Sequence, residues 1–244
     1  MSADPHREMA KRSRRAFLWM GVAFAGTFAV WRWFGNSPKR KGLDSPLRAA
    51  HELNQGLWSR IFDRNRKAPE FPAALAKMPR RNGMNGLNSE LDAEGFRLQL
   101  HVRGQIHQFS VEEVTALPAT EMVTELCCIE GWSQIVKWTG VPLAQFLKTL
   151  NIEPDSMPAY VSAETPDGKY YVALDKESAL HVQTLICWAM DGKPLVPDHG
   201  APLRLVIPPK YGIKSLKRLG VLRLTNERPT DYWYERGYDW YAGL

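Results

Sequence analysis

The sequence has few cysteines and no spacing of them that suggests a disulfide framework. Only Cys127, Cys128 and Cys187 occur among 244 residues. Neighbouring cysteines rarely bridge, because a disulfide needs Cα atoms further apart than adjacent residues give. We therefore predict a domain stabilised by its hydrophobic core. Cys187, which lies among apolar residues, is predicted to be a small buried side chain.

Motifs of several cofactor and metal proteins are also missing. The sequence contains no Cys-x-x-Cys-His haem attachment site and no flavin motif. It has no companion Cys/His pair at zinc spacing. No histidine lies near the paired cysteines to identify a cysteine protease. Any redox reaction of this chain therefore needs a separate electron partner.

Net positive charge is confined to the N-terminus. The formal net charge is +6, but residues 1–41 hold nine lysines or arginines and two acidic residues, which leaves −1 for the remainder. Nucleic-acid binding usually requires a basic surface on the folded domain. We predict no nucleic-acid partner.

The basic N-terminus resembles an export signal. Residues 11–18 read KRSRRAFL and lead into an apolar run that ends near Val30. Paired arginines before Phe-Leu and an apolar segment are typical of twin-arginine export, which predicts a periplasmic protein. Residues 16–34 approach the roughly 20 residues that span a bilayer. The leader is therefore a twin-arginine signal that is either removed or kept as an anchor in the inner membrane. The alternative is a plain membrane anchor whose flanking basic residues are not an export signal.

Three segments follow from the pattern of the chain: the leader at 1–41, an irregular extension at 42–95 and a core at 96–244. Period-two alternation and turn residues predict short strands in the core, and Ser110 with Glu113 predicts a capped helix. Pro142 is predicted in the first turn of a later helix. We predict an α+β domain of mainly mixed and antiparallel sheet with short helices. The predicted strands are 96–102, 106–109, 121–127, 133–138, 159–163, 169–173, 184–190, 203–208 and 221–225, and the predicted helices are 47–62, 142–150 and 176–180.

The segment Cys127-Cys128-Ile-Glu-Gly-Trp-Ser is a candidate metal site. Alternation along a strand sends Cys127 and Cys128 to opposite faces, so that one can point into a cavity. Gly131 lets the chain bend, and Trp132 supplies a rigid wall. A thiolate suits a sulfur-loving metal. Two buried structural cysteines are the alternative.

A second candidate segment begins at His199 and ends at Lys217. Basic residues beside a glycine turn, with exposed amides at 215–217, can hold a phosphate. Arg204 is the strongest candidate because a guanidinium binds phosphate through two hydrogen bonds. A solvated basic sheet edge is the alternative.

Together the two segments resemble the sulfite oxidase-like molybdopterin oxidoreductase family. The similarity covers about residues 78–228 and includes Trp138–Leu143. The motif Cys-Ile-Glu-Gly-Trp-Ser most resembles the corresponding segment of the bacterial periplasmic methionine-sulfoxide reductase catalytic subunits. The Cys-Ala-Gly-Asn-Arg loop of the sulfite oxidases is absent, which disfavours sulfite as substrate. The resemblance implies a sulfite oxidase-like molybdopterin-binding fold and a molybdenum–molybdopterin cofactor (Mo-MPT).

The resemblance also implies roles for individual residues. Cys128 is the implied metal ligand, and Glu130 and Trp132 are implied neighbours of the reaction. His199 lies at a position where the reductase branch often has Asn. In the first cofactor loop, Gly83 replaces a His of the family. For Asn82 and Asn85 of this loop, an exposed polar loop without a cofactor role is the alternative. The implied cofactor contacts are Asn82, Asn85, Thr165, His199, Arg204, Ser215, Leu216 through its backbone, and Lys217.

The implied function is oxygen-atom transfer to or from a small oxo-substrate. The resemblance points to an exported mononuclear molybdenum oxidoreductase that reduces sulfoxides such as methionine sulfoxide, with electrons from a separate membrane haem protein or cytochrome. One rival is a sulfite dehydrogenase, which should need a more cationic substrate pocket. The other is a non-enzymatic binding module. We expect a monomer, because this length leaves no room for the C-terminal dimerisation domain of larger sulfite oxidases.

Overall fold

A computed structural model describes residues 5–87 and 95–244 of the chain. It divides into two compact units, Met1–His51 and Glu52–Leu244. Residues 88–94 of the expected irregular extension lie outside the described residues. The predicted segment borders after residues 41 and 95 stay predictions.

The described residues form five α-helices, twelve short strands and five single-turn 3₁₀ helices. The helices are α1 Pro5–Gly35, α2 Ser45–Ile61, α3 Val111–Thr115, α4 Leu143–Lys148 and α5 Lys176–Ala179. The strands are β1 Lys39–Arg40, β2 Leu43–Asp44, β3 Leu98–Val102, β4 Gln105–Phe109, β5 Thr120–Cys127, β6 Ser133–Pro142, β7 Tyr160–Glu164, β8 Tyr171–Asp175, β9 Leu185–Met190, β10 Lys193–Pro194, β11 Arg204–Val206 and β12 Val221–Thr225.

The first unit contains α1 and the β1–β2 hairpin. Within α1, the 24-residue segment Arg12–Gly35 is long and apolar enough to cross a membrane. A signal sequence would have the same length and composition, so the helix is compatible with both interpretations of the leader.

The second unit is built on two five-stranded sheets. One has the order β10-β9-β6-β5, with β11 also paired to β9, and the other has the order β4-β3-β12-β7-β8. All pairs are antiparallel except β12 with β3, which is parallel. The predicted α+β architecture with mixed and antiparallel sheet is confirmed.

One large hydrophobic core contains residues of both sheets, such as Leu100 of β3 and Leu205 of β11, together with Phe146 of α4. A smaller cluster covers the first sheet and contains Cys187, which is fully buried as predicted. Close packing of β6 on β9 depends on Gly140, because a Cβ there would lie 2.3 Å from the Ile186 carbonyl oxygen. The sheets thus hold the ends of β5 and β11, which carry the site residues, in fixed positions.

Sequence predicted most elements, with errors at their borders. The capping box of Ser110 and Glu113 is present. Pro142 is not in the first turn of α4 but is the last residue of β6, with extended geometry (φ −55°, ψ 131°). Strand β8 begins at Tyr171 because the chain turns before it, and β11 ends at Val206, ahead of prolines that cannot donate to a strand partner.

A buried ion pair joins the basic segment to the C-terminal part of the chain. Lys214 Nζ lies 2.6 Å from Asp231 Oδ2, and both side chains are 1% exposed. Asp231 also accepts hydrogen bonds from the backbone N–H groups of Ala173 and Trp233. The pair therefore positions Trp233, which lines the candidate site.

Replacing Lys214 with methionine should destabilise the fold by about 3–5 kcal/mol, because Asp231 would stay buried and charged without its partner. Chemical denaturation measures this loss in the free energy of unfolding. Lys214→Met combined with Asp231→Asn should recover much of it. A loss below about 1 kcal/mol in the single variant would contradict the importance given to the pair.

Candidate functional site

Nine of the eleven predicted site residues line one cavity of about 150 Å³, which we name the first cavity. Two others, Thr165 and Leu216, do not line it. The nine are Asn82, Asn85, Cys128, Glu130, Trp132, His199, Arg204, Ser215 and Lys217. The separate sequence segments are therefore adjacent in the fold.

The Cys128 thiol lies in a tight turn at the end of the first sheet. Cys127 pairs with Ser133 across the β5–β6 hairpin. The Cys128 N–H donates to the Trp132 carbonyl at 2.8 Å, and Gly131 adopts a positive φ of 85°. Asn82 Nδ2 lies 3.4 Å from Cys128 Sγ and can donate a hydrogen bond to it.

Strand alternation separates the two neighbouring cysteines as predicted. Leu126 and Cys128 line the first cavity, whereas Glu125 and Cys127 line a different one. Burial, followed by the nearby Glu125 carboxylate, raises the pKa of Cys127, which keeps its thiol protonated near neutral pH. Only Cys128 presents its sulfur to the first cavity.

Arg204 places a cation in the wall of this cavity without a carboxylate partner among the described residues. Its side chain is buried and donates to the carbonyl oxygens of His199 and Ser215, at 3.2 and 3.3 Å. The guanidinium lies 5.0 Å from the centre of the Trp138 ring. Its Nε has no hydrogen-bond partner in residues 5–87 and 95–244. Burial lowers the pKa of Arg204 to about 10, so the group is charged at neutral pH.

Lys217 adds a second cation beside Arg204. Its Nζ donates to the Asn82 carbonyl oxygen at 2.7 Å. Burial, together with the nearby Arg204 and Arg81, lowers the pKa of Lys217 to about 8. Burial, with Arg204 and Lys217, also lowers the pKa of His199, which keeps this ring neutral. The interior of the cavity is thus cationic and suited to an anionic group.

Comparison with known proteins identifies the family. A family model described as the oxidoreductase molybdopterin binding domain matches residues 85–233. The chain belongs to this family. The family prediction is thereby confirmed, and the protein is an oxidoreductase.

Similar proteins include reductase subunits of bacteria. A chain of Azospira oryzae, provisionally named protein-methionine-sulfoxide reductase subunit YedZ1, is 34% identical over 237 residues, which cover 95% of this chain and 88% of that one. Two proteins named protein-methionine-sulfoxide reductase catalytic subunit MsrP, from Xanthomonas campestris and Xanthomonas axonopodis, are 37% and 36% identical over 139 residues. These matches cover 51% of this chain and 42% of each relative, so the chain spans less than half of the two MsrP proteins.

A solved structure confirms the fold. The crystal structure of the sulfane dehydrogenase SoxCD from Paracoccus pantotrophus matches with a TM-score of 0.52 at 20% identity, over 57% of this chain and 40% of that chain. At this identity the likeness concerns the fold alone.

The residues of the first cavity fit a molybdopterin. The unpaired Nε of buried Arg204 and the Lys217 ammonium can both donate to a phosphate. A buried cation without a counter-ion is costly, and a bound anion would offset that cost. The Cys128 thiol lies in the same cavity and is a ligand type that soft metals prefer. The donor set therefore suits an anionic cofactor that carries a metal.

Thr165 and Leu216 lie behind the cavity wall. Thr165 is fully buried and accepts a hydrogen bond from the Tyr170 N–H at 3.2 Å. It packs against Gly86, where a Cβ would lie 2.8 Å from Thr165 Cγ2 and 1.8 Å from the Lys217 carbonyl oxygen. Thr165 therefore supports the loop that carries Asn82.

The prediction that the backbone amides of Ser215 and Leu216 are free to bind a phosphate is wrong. The Ser215 N–H donates to the Gly212 carbonyl at 3.0 Å, and the Leu216 N–H donates to the Lys214 carbonyl at 3.1 Å. The Leu216 side chain lies in the core. These two amides are already used within the chain, and the Ser215 hydroxyl accepts from the Ile207 N–H at 3.2 Å, so the cations are the donors of this segment that remain for a phosphate.

Sequence reasoning missed Tyr170 and Trp233, which both line the first cavity. Trp233 Nε1 donates to the Tyr170 hydroxyl at 2.9 Å, and that hydroxyl lies 3.3 Å from the Ile213 carbonyl oxygen. Burial raises the pKa of Tyr170, which keeps it protonated. The aromatic C-terminal segment was visible in the sequence, but no motif indicated which of its rings reaches the cavity.

Paired charges surround the mouth of the cavity. Arg80 lies 3.8 Å from the Glu130 carboxylate, with its guanidinium 4.6 Å from the centre of the Trp132 ring. Trp132 Nε1 donates to Glu130 at 3.3 Å. Arg81, the next residue in the chain, does not line the cavity and contacts Asp198 at 2.9 Å. Arg80 and Arg81 therefore each have an acidic partner, in contrast to the cations inside.

The cofactor-free chain should become more stable as the pH rises from about 8 towards 10.5. The pKa of Lys217 is about 8 in the folded chain and 10.5 in an unfolded one, so in this window only the unfolded chain keeps the proton. The free energy of unfolding should therefore increase with pH, and Lys217→Met should flatten this increase. Denaturation at several pH values tests it, using protein from a host that cannot make molybdopterin. Equal pH slopes in both proteins would contradict the prediction.

Proposed function

We propose that this chain reduces sulfoxides such as methionine sulfoxide, with Mo-MPT held in the first cavity. The names of the similar YedZ1 and MsrP proteins support this reaction. The observation that carries the proposal is the contrast within the site. Among the residues that the structure describes, Arg204 and Lys217 inside the cavity have no carboxylate partner, while Arg80 and Arg81 are each paired with an acid.

The chain's own residues hold and orient the cofactor in this proposal. Cys128 ligates the metal, and Asn82 positions the sulfur through its hydrogen bond. Arg204 and Lys217 bind the phosphate end. When bound, Mo-MPT supplies the two-electron oxygen-atom transfer chemistry, and the protein contributes position and charge.

The mouth suits a neutral substrate. A sulfoxide carries no net charge on the reacting group, and the Trp132 ring offers an apolar surface for its hydrocarbon substituents. Sulfite is a dianion and would be favoured by unpaired cations, but Arg80 and Arg81 are both neutralised. The same metal site is therefore assigned to sulfoxide reduction rather than sulfite oxidation.

Removing the two acidic partners should strengthen sulfite binding. The double variant Glu130→Gln with Asp198→Asn removes the acidic partners of Arg80 and Arg81. Exposed ion pairs contribute about 0.2–1 kcal/mol each, so we expect the inhibition constant of sulfite to fall by at most about thirty-fold, and by at least about two-fold. Inhibition of sulfoxide reduction by sulfite measures it, with Glu153→Gln as a control away from the cavity. Identical inhibition in all three proteins would show that the mouth charges do not select the substrate.

A substrate panel tests the reaction itself. With chemically reduced viologen as donor, the cofactor-loaded chain should reduce methionine sulfoxide, and with an electron acceptor it should oxidise sulfite far more slowly. Faster sulfite oxidation would favour a sulfite dehydrogenase. A folded chain without molybdenum and without either activity would favour a binding module.

Partner and location are part of the same proposal. Electrons come from a separate membrane haem protein or cytochrome, in keeping with the absence of haem and flavin motifs from the chain. The leader directs twin-arginine export to the periplasm, and α1 either is removed or holds the chain, as a monomer, at the inner membrane. An anchor would raise the local concentration of a membrane partner.

A further inference from the structure

The wall of the first cavity contains a buried hydroxyl, that of Tyr170, whose proton is weakly held. Tyr170 immediately precedes strand β8 and lines the cavity together with Arg204. Its hydroxyl accepts a hydrogen bond from Trp233 Nε1 at 2.9 Å and lies 3.3 Å from the Ile213 carbonyl oxygen. An O–H donor prefers a distance of about 2.7–2.8 Å, so the contact with Ile213 is a long one. The hydroxyl can therefore give up this contact for a stronger acceptor, such as a bound anion.

The Tyr170 hydroxyl also lies in the electrostatic field of Arg204. Burial raises the pKa of Tyr170 by more than Trp233 and Arg204 lower it, so the phenol keeps its proton and remains a donor. The Nε of Arg204 has no hydrogen-bond partner in residues 5–87 and 95–244. An anionic group in this part of the cavity would thus find a charged donor and a neutral donor together.

The ring that carries the hydroxyl is held from two sides. Trp233 is fixed by Asp231, whose Oδ1 accepts the Trp233 backbone N–H at 3.0 Å and whose Oδ2 is paired with buried Lys214. The ring of Tyr232 packs edge-on against Tyr170, with 5.1 Å between the ring centres. The hydroxyl is therefore positioned before any ligand binds, which reduces the entropy lost on binding.

The same arrangement gives Thr165 a role. Thr165 is a predicted cofactor contact, yet it does not line the first cavity. Its Oγ1 accepts the backbone N–H of Tyr170 at 3.2 Å and donates to the Asp167 carboxylate at 2.6 Å. Thr165 thus closes the turn at residues 165–170, and this turn presents the Tyr170 side chain to the cavity.

We propose that Tyr170 is a cofactor-binding residue, whose hydroxyl donates to the same anionic group as Arg204, and that Trp233 is the positioning residue that orients it. This inference rests on the proposed place of Mo-MPT in the first cavity. Tyr170 and Trp233 hold the cofactor in this assignment and move no proton or electron in the reaction. Their replacement should therefore change the retention of the cofactor.

Three conservative variants of the cofactor-loaded full chain test the proposal. Tyr170→Phe removes the hydroxyl and keeps the ring, and Trp233→Phe removes the Nε1 donor. Tyr171→Phe is the matched control, because the Tyr171 hydroxyl bonds to Glu235 of the same C-terminal segment but Tyr171 does not line the first cavity.

Two readouts separate cofactor binding from support of the fold. The first is the rate of cofactor loss during dialysis, with the molybdopterin that remains quantified after denaturation. The second is the rise in unfolding temperature that loading produces, measured for each variant against its own cofactor-free form. A residue that only supports the fold would lower both unfolding temperatures and leave their difference unchanged.

We expect Tyr170→Phe to lose the cofactor about ten- to a hundred-fold faster than the parent chain, because a hydrogen bond to a charged group is lost. The rise in unfolding temperature on loading should shrink in parallel. Trp233→Phe should show a smaller change in the same direction, since the hydroxyl remains but is no longer oriented. Tyr171→Phe should match the parent chain in both readouts.

Cofactor loss from Tyr170→Phe at the rate of the parent chain, or at the rate of Tyr171→Phe, would overturn the proposal. If Tyr170→Phe does not fold, Trp233→Phe decides by the same comparison. A loaded parent chain that does not reduce methionine sulfoxide would instead refute the proposed function, while the rates of cofactor loss would still decide the role of Tyr170.

Discussion

Replacing Cys128 with alanine should reduce sulfoxide reduction by about a thousand-fold or more, because the metal would lose its protein ligand. Of the three cysteines, Cys128 alone lines the first cavity, and Asn82 is placed to hold its sulfur. The measurement is steady-state turnover with a viologen donor, so that no protein partner is involved. Circular dichroism on the same samples checks that the variant is folded.

The neighbouring cysteine provides a matched control. Cys127→Ala removes the same thiol from the adjacent residue, but Cys127 lines a different cavity from Cys128. Turnover with the viologen donor should therefore remain near that of the parent chain. If Cys128→Ala retained full activity, or if Cys127→Ala lost as much, the assignment of the metal ligand to Cys128 would be wrong.

Replacing Arg204 with methionine should lower retention of the cofactor about a hundred-fold or more. Hydrogen bonds to charged groups contribute about 1.5–3 kcal/mol each, and Arg204 can offer more than one to a phosphate. Methionine fills a similar space without the charge, which limits the disturbance of the core around Trp138. Cofactor released from equal amounts of folded protein, quantified after denaturation, measures the effect.

Arg223→Met serves as the control for Arg204. Arg223 lies on strand β12 and contacts Glu164 at 2.8 Å on a partly exposed face. It does not line the first cavity. Its replacement should leave cofactor content unchanged. Equal cofactor content in the Arg204 and Arg223 variants would contradict a phosphate-binding role for Arg204.

Strand alternation predicted that Cys127 and Cys128 face opposite sides, and the structure places them in different cavities. The choice of Cys128 as the ligand came from the family resemblance, because local rules alone do not say which of the two faces holds the cavity. The α+β architecture followed from the same alternation and from a capping box that the structure retains. Arg204 was predictable from its chemistry, because a guanidinium in a basic segment with a glycine turn suits a phosphate, and the structure places it in the wall of the first cavity.

The residue pattern alone could not sort the lysines of the basic segment, and only the family resemblance selected Lys217. Lys217 faces the first cavity, whereas Lys214 points to Asp231 and Lys210 lies over the ring of Tyr241. These directions depend on where the C-terminal segment packs, which is a long-range property. The same reason explains why Trp233 was not identified.

Elemental analysis of the full chain tests the central claim most directly. The protein should be purified from a host that makes molybdopterin, and its fold should be verified in parallel. The account predicts about one molybdenum per chain in the parent protein, with the metal lost in Cys128→Ala. A folded parent chain without molybdenum from a competent host would contradict the account, and Cys128 and Arg204 would then be structural residues of a binding module.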